Sequence, residues 1–264
     1  MAIVNSRNYS KLAEDNPFDF DERVVFEEHR HLYFVDGVQV PISITGVLKK
    51  HDPAPFDAPK IITRCWRAWK RNGRKPELAE VLVDVEDDED AIIAVQKVWT
   101  RSSELGTLLH KRFEALANEA DTEDGEFEPV NHEWTKLVGA LDGLGWAPVR
   151  SELSVFYTNK MGKVVAAGQI DMLAVDKDNK FVMIDLKRSS KDIGPEQTPF
   201  RPGEWTEYFK YSLQLACYSL MVEQLTGKKV ESQNRYLLVV DKARAVWIKC
   251  LDLDEKAREM MESL

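Results

Sequence analysis

Two short stretches carry side chains suited to phosphodiester chemistry. They are Gly168-Gln169-Ile170-Asp171 and Ile184-Asp185-Leu186-Lys187, with Asp185 14 residues after Asp171. On a strand, side chains alternate, so Asp185 and Lys187 share one face and Ile184 and Leu186 the other. The apolar pair can then enter a core while the Asp and Lys share a cleft. The linking residues are Asp176-Lys177-Asp178-Asn179. An odd loop such as 177–179 sets Asp171 opposite Asp185, whereas a two-residue turn at 178–179 sets it opposite Leu186. The expectation is an odd loop or a bulge. Two carboxylates offer oxygen ligands to Mg²⁺ or Mn²⁺. Such a cation polarises a phosphate oxygen and lowers the pKa of a bound water. A neighbouring lysine can orient or deprotonate that water, or stabilise charge on the phosphate. Asp-x-Lys also occurs at Asp178–Lys180 and Asp254–Lys256, but only the middle copy sits in a strongly apolar strand. Taken alone, these residues also suit a cross-strand ion pair at a sheet edge.

Helical spacing adds two further pairs. His110 and Glu114 are four apart and share a helix face beside Leu109 and Phe113, with Gly106-Thr107 one turn earlier. Glycine there permits close backbone approach. Gln214 and Tyr218 are also four apart, within a stripe of Tyr208, Tyr211, Leu215 and Tyr218. Each pair has a plainer reading, a surface helix pair for the first and core packing for the second.

The elements that must position these side chains are legible from residue 100 onward. Ser102 or Ser103 is a candidate cap for a helix carrying Leu105, Leu109, Phe113 and Leu116 on one stripe. A second helix spans 133–144 and ends at Gly145. Strands follow at 149–158, 164–175 and 181–188. A long helix over 205–225 closes at Gly227, and strands at 236–240 and 245–251 precede a short C-terminal helix. This order predicts an α/β fold with a central mixed β-sheet flanked by helices. Upstream, 24–35 alternates loosely, Asp36-Gly37 signals a hairpin, and Ser43 can cap a helix to Lys50. The stretch 51–59 reads as a connector, and a helix over 60–71 brings Trp66 and Trp69 to a basic cluster. The expected division is an N-terminal accessory region 1–98, a core 99–251 and a C-terminal helix 252–264.

Together these motifs resemble, in order and spacing, those of the PD-(D/E)XK nuclease superfamily, most closely its RecB-like exonuclease branch with phage, viral and mitochondrial members. The resembling residues are Gly106-Thr107-x-x-His110-x-x-x-Glu114, Gly168-x-x-Asp171, Asp185-x-Lys187 and Gln214-x-x-x-Tyr218. Ser43-Ile44-Thr45 is similar to a segment of viral members. The resemblance implies a restriction-endonuclease-like core and a divalent-metal-dependent DNA nuclease, an exonuclease of replication, repair or recombination. An endonuclease on the same fold and a catalytically silent DNA-binding relative are the alternatives. It implies Asp171, Asp185, Glu114 and the Leu186 carbonyl as ligands of one or two Mg²⁺ or Mn²⁺ ions. His110 would be a ligand or orient substrate, and Lys187 would be the catalytic lysine. Gln214 and Tyr218 would brace the site or contact the nucleic-acid backbone. Glu152, on the first strand, is similar to an acidic position frequent in these nucleases and ranks behind the others. Arg188 departs from the small or hydroxyl residue usual after the lysine, which leaves the strand end open. Some relatives form ring-shaped trimers, so a homo-oligomer is possible. The setting implied is bacterial, phage or viral.

Composition bounds this reading. The 264 residues are 44% hydrophobic and 31% charged, an ordinary globular composition. No apolar run approaches the ~20 residues of a membrane span, so no membrane partner is expected. The N-terminal residues show neither a secretory nor a transit signal. Three scattered cysteines (Cys65, Cys217, Cys250) form no disulfide framework and cannot supply the four ligands of an iron–sulfur cluster. A reducing, cytoplasmic compartment fits. The net charge of −9 argues against nucleic acid, but its distribution does not. Lys60, Arg64, Arg67, Lys70, Arg71, Arg74 and Lys75 occur with no acid among them, while acids crowd 77–90 and 121–128. Cations beside Trp66 and Trp69 suit single-stranded DNA, which cationic grooves and stacked aromatics bind. A helix with its tryptophans in the core and its arginines in water is the equal alternative.

Overall fold

The computed structural model describes residues 9–53, 56–72, 78, 80–123, 125–195 and 205–264, with the side chains of 70–72 left aside. The chain divides into two compact units, Pro53–Leu108 and the remainder, Met1–Asp52 with Leu109–Leu264. This differs from the expected boundary at 98/99. Residues 9–52 are built into the larger unit, because their apolar side chains share its core. Val24, Tyr33, Val35, Ile44 and Val47 pack in one cluster with Leu153, Ile170, Phe209, Leu213 and Met221.

In the larger unit, a short helix α1 (Lys11–Asp15) precedes a three-stranded antiparallel sheet of β1 (Val24–Glu27), β2 (Leu32–Val35) and β3 (Val38–Gln39). Asp36 and Gly37 turn β2 into β3 with φ of 50° and 77°, as a type I′ hairpin requires. Helix α2 (Ile44–His51) is capped by Ser43, whose Oγ accepts from the Gly46 N–H at 3.2 Å. That cap contributes about 1 kcal/mol. Ser43 also bridges to Ala167 of the main sheet.

The main sheet has five strands in sequential order: β4 (Ala147–Thr158), β5 (Val164–Val175), β6 (Phe181–Arg188), β7 (Arg235–Val240) and β8 (Ala245–Lys249). β6 and β7 pair in parallel and the other neighbours antiparallel, so the sheet is mixed as expected. A parallel pair needs a long crossover. Helix α6 (Glu207–Thr226) lies on that connection, capped by Thr206 and closed by Gly227 at φ 71°. Helices α5 (Asn131–Leu141) and α7 (Asp254–Glu262) complete this unit. Ala257, Met260 and Met261 of α7 join the core cluster, so the C-terminal helix is part of it.

The smaller unit holds α3 (Ala58–Asn72) and most of α4 (Asp88–Ala117), which continues into the larger unit from Leu109. Ser102 and Ser103 therefore do not cap a new helix. The periodic stripe extends upstream to Ala91 and Val95, which pack with Ile62, Trp66, Leu78 and Leu82. Among the described residues, no helix is long and apolar enough to cross a membrane.

Candidate metal centre

The hairpin between β5 and β6 sets the site. Asp176 N–H donates to the Lys180 carbonyl at 3.0 Å, and Asn179 takes φ 58°, leaving the three-residue loop 177–179. The paired register runs from Val175↔Phe181 to Met172↔Ile184, so its next step faces Asp171 with Asp185. At that step the ladder stops. The Leu186 N–H donates to Asp171 Oδ2 at 2.7 Å instead of to a backbone carbonyl. A side chain thus replaces a rung, and the strands part where the acids stand.

The Leu186 peptide also holds His110. Its carbonyl can only accept, so the His110 Nε2 at 2.8 Å must be the donor. Nδ1 then faces the acids, 3.6 Å from Asp171 Oδ2 and 3.8 Å from Glu152 Oε1. Ligand atoms of His110, Glu152 and Asp171 all lie within 4.8 Å of one another. Glu152 reaches this group from β4, where the register places it across from Asp171, between Ser151↔Met172 and Leu153↔Ile170. The three acids Glu152, Asp171 and Asp185 therefore form a row across β4, β5 and β6. Glu152 has φ 46°, which costs about 1–2 kcal/mol for a residue with a side chain. Strain of this kind collects at functional sites.

Lys187 Nζ hydrogen-bonds Asp185 Oδ1 at 2.8 Å and lies 2.7 Å from Oδ2. That second oxygen is buried, and its close neighbour is the same ammonium. Nζ also sits 5.0 Å from the centre of the Tyr211 ring. The electrostatics follow from burial and crowding. Burial works hardest against charge on His110, yet Asp171 and Glu152 outweigh it and hold its pKa up at about 9. Burial raises the Glu152 carboxyl against the pull of His110. It pushes Asp185 up to about 6 despite Lys187. Lys187 stays above the ordinary lysine range, because Asp185 and Asp171 overcome its burial. The field of Glu152 and Asp171 reaches Tyr33 of β2, whose hydroxyl is raised first by burial and then by these acids.

The frame around the site is specific. A Cβ at Gly168 would lie 2.5 Å from Tyr218 Cε1, so only glycine lets the tyrosine ring rest on β5. Tyr218 is buried and its hydroxyl accepts from Gln214 Nε2 at 3.0 Å. This pair braces the strand, and Tyr218 has no surface for a nucleic-acid backbone. Asn118 at the end of α4 donates to Ser151 Oγ at 2.9 Å, beside Glu152. Arg188 turns away from Lys187 and binds the buried Glu133 of α5 at 2.7 Å, and β6 ends there.

Other expected residues lie elsewhere. Glu114, one turn beyond His110, is outside the three-residue group of His110, Glu152 and Asp171. A Cβ at Gly106 would meet no atom of the described residues within 4 Å. Trp66 is 1% exposed and fills the core of the smaller unit, with Trp69 packed against it. Trp66 therefore has no face to offer a base. Arg67 pairs with Asp88 at 2.7 Å. The side chains of Lys70 and Arg71 lie outside the described residues. Glu152 could have ranked higher from the sequence, since antiparallel pairing of β4 with β5 places it beside Asp171. Tyr211 carried no signal beyond its membership of a helical stripe.

A divalent cation fits these residues. Two carboxylates and one imidazole converge, and the buried carboxylate of Asp185, paired with Lys187, stands on the next strand. Oxygen-rich donor sets of this kind suit hard cations. The His110 N–H fixed on a carbonyl is the outer bond that orients imidazole ligands.

A family model described as the PD-(D/E)XK nuclease superfamily matches residues 67–263. Among solved structures, the chain is similar to one titled "Crystal structure of SSO0001", with 16% identity and a TM-score of 0.36, covering 83% of this chain and 82% of that one. No curated protein matches the chain.

Proposed function

This chain belongs to the PD-(D/E)XK nuclease superfamily and has its restriction-endonuclease-like α/β core, and on that premise we propose that it is a divalent-metal-dependent DNA exonuclease acting in replication, repair or recombination. The observation that carries this reading is the row Glu152–Asp171–Asp185 across three strands, with His110 and Lys187 closing on it. A bound Mg²⁺ or Mn²⁺ supplies an activated water and charge neutralisation at the scissile phosphate. Asp171, Asp185, Glu152 and His110 would hold it. His110 Nδ1 is the nitrogen available, because Nε2 is committed to Leu186. The Leu186 carbonyl accepts from Nε2 on the opposite edge of the ring, so it would serve a different cation from the one held at Nδ1. Lys187 places a positive charge over the cleft, where it stabilises the developing negative charge on the phosphate. Glu114 stands in reserve one turn along α4, and Arg67, Lys70 and Arg71 supply cations for the DNA backbone.

The test incubates end-labelled linear and closed circular DNA, single- and double-stranded, with Mg²⁺ or Mn²⁺, comparing wild type with Lys187→Ala. Release of end label from linear DNA only, lost in Lys187→Ala, is the expected result. No metal-dependent cleavage of any substrate overturns the nuclease reading. Cleavage of closed circles overturns the exonuclease reading and leaves an endonuclease.

A further inference from the structure

We propose that Tyr211 is a positioning residue for Lys187, its ring face holding the lysine ammonium over the cleft. The proposal rests on the reading of Lys187 as the lysine of the reaction.

Lys187 has two neighbours that attract its charge. One is Asp185, whose two oxygens lie 2.8 and 2.7 Å from Nζ. The other is the Tyr211 ring, 5.0 Å from Nζ at its centre. An ammonium within about 6 Å of an aromatic centroid is attracted by the ring quadrupole. The two attractions differ in kind. Asp185 is a candidate ligand, and a carboxylate shared with a cation is a weaker partner for an ammonium. The ring has no such second duty. It fixes the end of a flexible four-carbon chain by a contact that phosphate chemistry does not consume.

The helix that carries Tyr211 is anchored so that the ring cannot drift. Thr206 caps α6 by accepting from Phe209 N–H at 3.1 Å. Lys210, the preceding residue, is pinned to Asp52 at 2.5 Å. Gln214 and Tyr218, one and two turns further along, are bonded to each other and packed on Gly168. Tyr208, by contrast, is a core residue whose hydroxyl donates to the Lys249 carbonyl at 2.7 Å. Of the helical stripe, Tyr211 is the member whose ring receives the Lys187 ammonium.

The test measures kcat and KM on a cleaved DNA for wild type, Tyr211→Phe, Tyr211→Leu, Lys187→Ala and the Tyr211→Leu/Lys187→Ala double variant. Phe keeps the ring and should retain wild-type kcat within about twofold. Leu should lower kcat by about tenfold with little change in KM, the size of a desolvated cation–π contact. In the Lys187→Ala background, Tyr211→Leu should cost nothing further. Urea unfolding of the metal-free proteins supplies a readout independent of catalysis: Tyr211→Leu and Lys187→Met should be non-additive in stability. Equal losses in Phe and Leu, or additive losses in both cycles, overturn the proposal. Full activity in Lys187→Ala overturns the reading of the lysine itself. An inactive Lys187→Ala beside an unaltered Tyr211→Leu overturns only the role of Tyr211.

Discussion

Glu152 is the side chain on which the geometry departs most usefully from expectation. Its carboxylate stands with His110 and Asp171, and its backbone takes a strained φ of 46° to bring it there. Glu152→Gln should lower Mn²⁺ affinity, measured by calorimetry, by at least roughly tenfold, the lower bound for losing even an outer-shell partner. Glu114→Gln should change it less. A larger loss in Glu114→Gln than in Glu152→Gln would return the ligand role to α4. That Asp185 and Lys187 share one face of a strand, with Asp171 opposite Asp185 across a three-residue loop, was legible in the sequence, because strand alternation and an odd loop fix it. The grouping of Glu152 with His110 and Asp171 was not. It depends on a pairing between strands that no single segment encodes, and on a backbone conformation that propensity disfavours.

At the scale of elements, two contacts hold the strands that carry the site. Gly168 admits the Tyr218 ring to β5, and Gly168→Ala should destabilise the protein by about 1–3 kcal/mol through overpacking, read from the urea midpoint. Unchanged stability would mean that the ring moves aside freely. Arg188 of β6 neutralises Glu133, which is 1% exposed on α5. Arg188→Ala leaves that carboxylate buried and unpaired, and should cost about 3–5 kcal/mol. The additional change Glu133→Gln should recover much of it. Arg188 had no partner readable from the sequence, since Glu133 lies 55 residues away. The five strands of the main sheet emerged within about two residues at either end, because each is a run of apolar β-formers bounded by turn signals. The start of α4 did not, since Ser102 and Ser103 are good caps that the continuous stripe overrides.

For the whole molecule, the total charge of −9 says less than its placement. Acids gather at the candidate metal centre, where a cation would reverse the local sign. Lys60, Arg64, Arg67, Lys70 and Arg71 of the basic run lie in the smaller unit, on α3, whose Trp66 is spent on the core. Changing Arg67, Lys70 and Arg71 together to glutamine should weaken DNA affinity and flatten its salt dependence, while leaving metal affinity unchanged. Unaltered DNA binding would mark this run as a solvated helix face. The division into units at 53 and 108 was hidden in the sequence, because the N-terminal hairpin and α2 are separated from their core partners by more than a hundred residues. The central claim is that three strand-borne acids and His110 build a metal-dependent phosphodiester hydrolase. Its most direct test is the rate of linear DNA cleavage with Mg²⁺ or Mn²⁺, and with chelator, for wild type and for an Asp171→Asn protein of matching thermal stability. Cleavage that requires metal and falls by on the order of a hundredfold or more in Asp171→Asn is the predicted result. Cleavage that survives chelator, or that Asp171→Asn leaves intact, would contradict it.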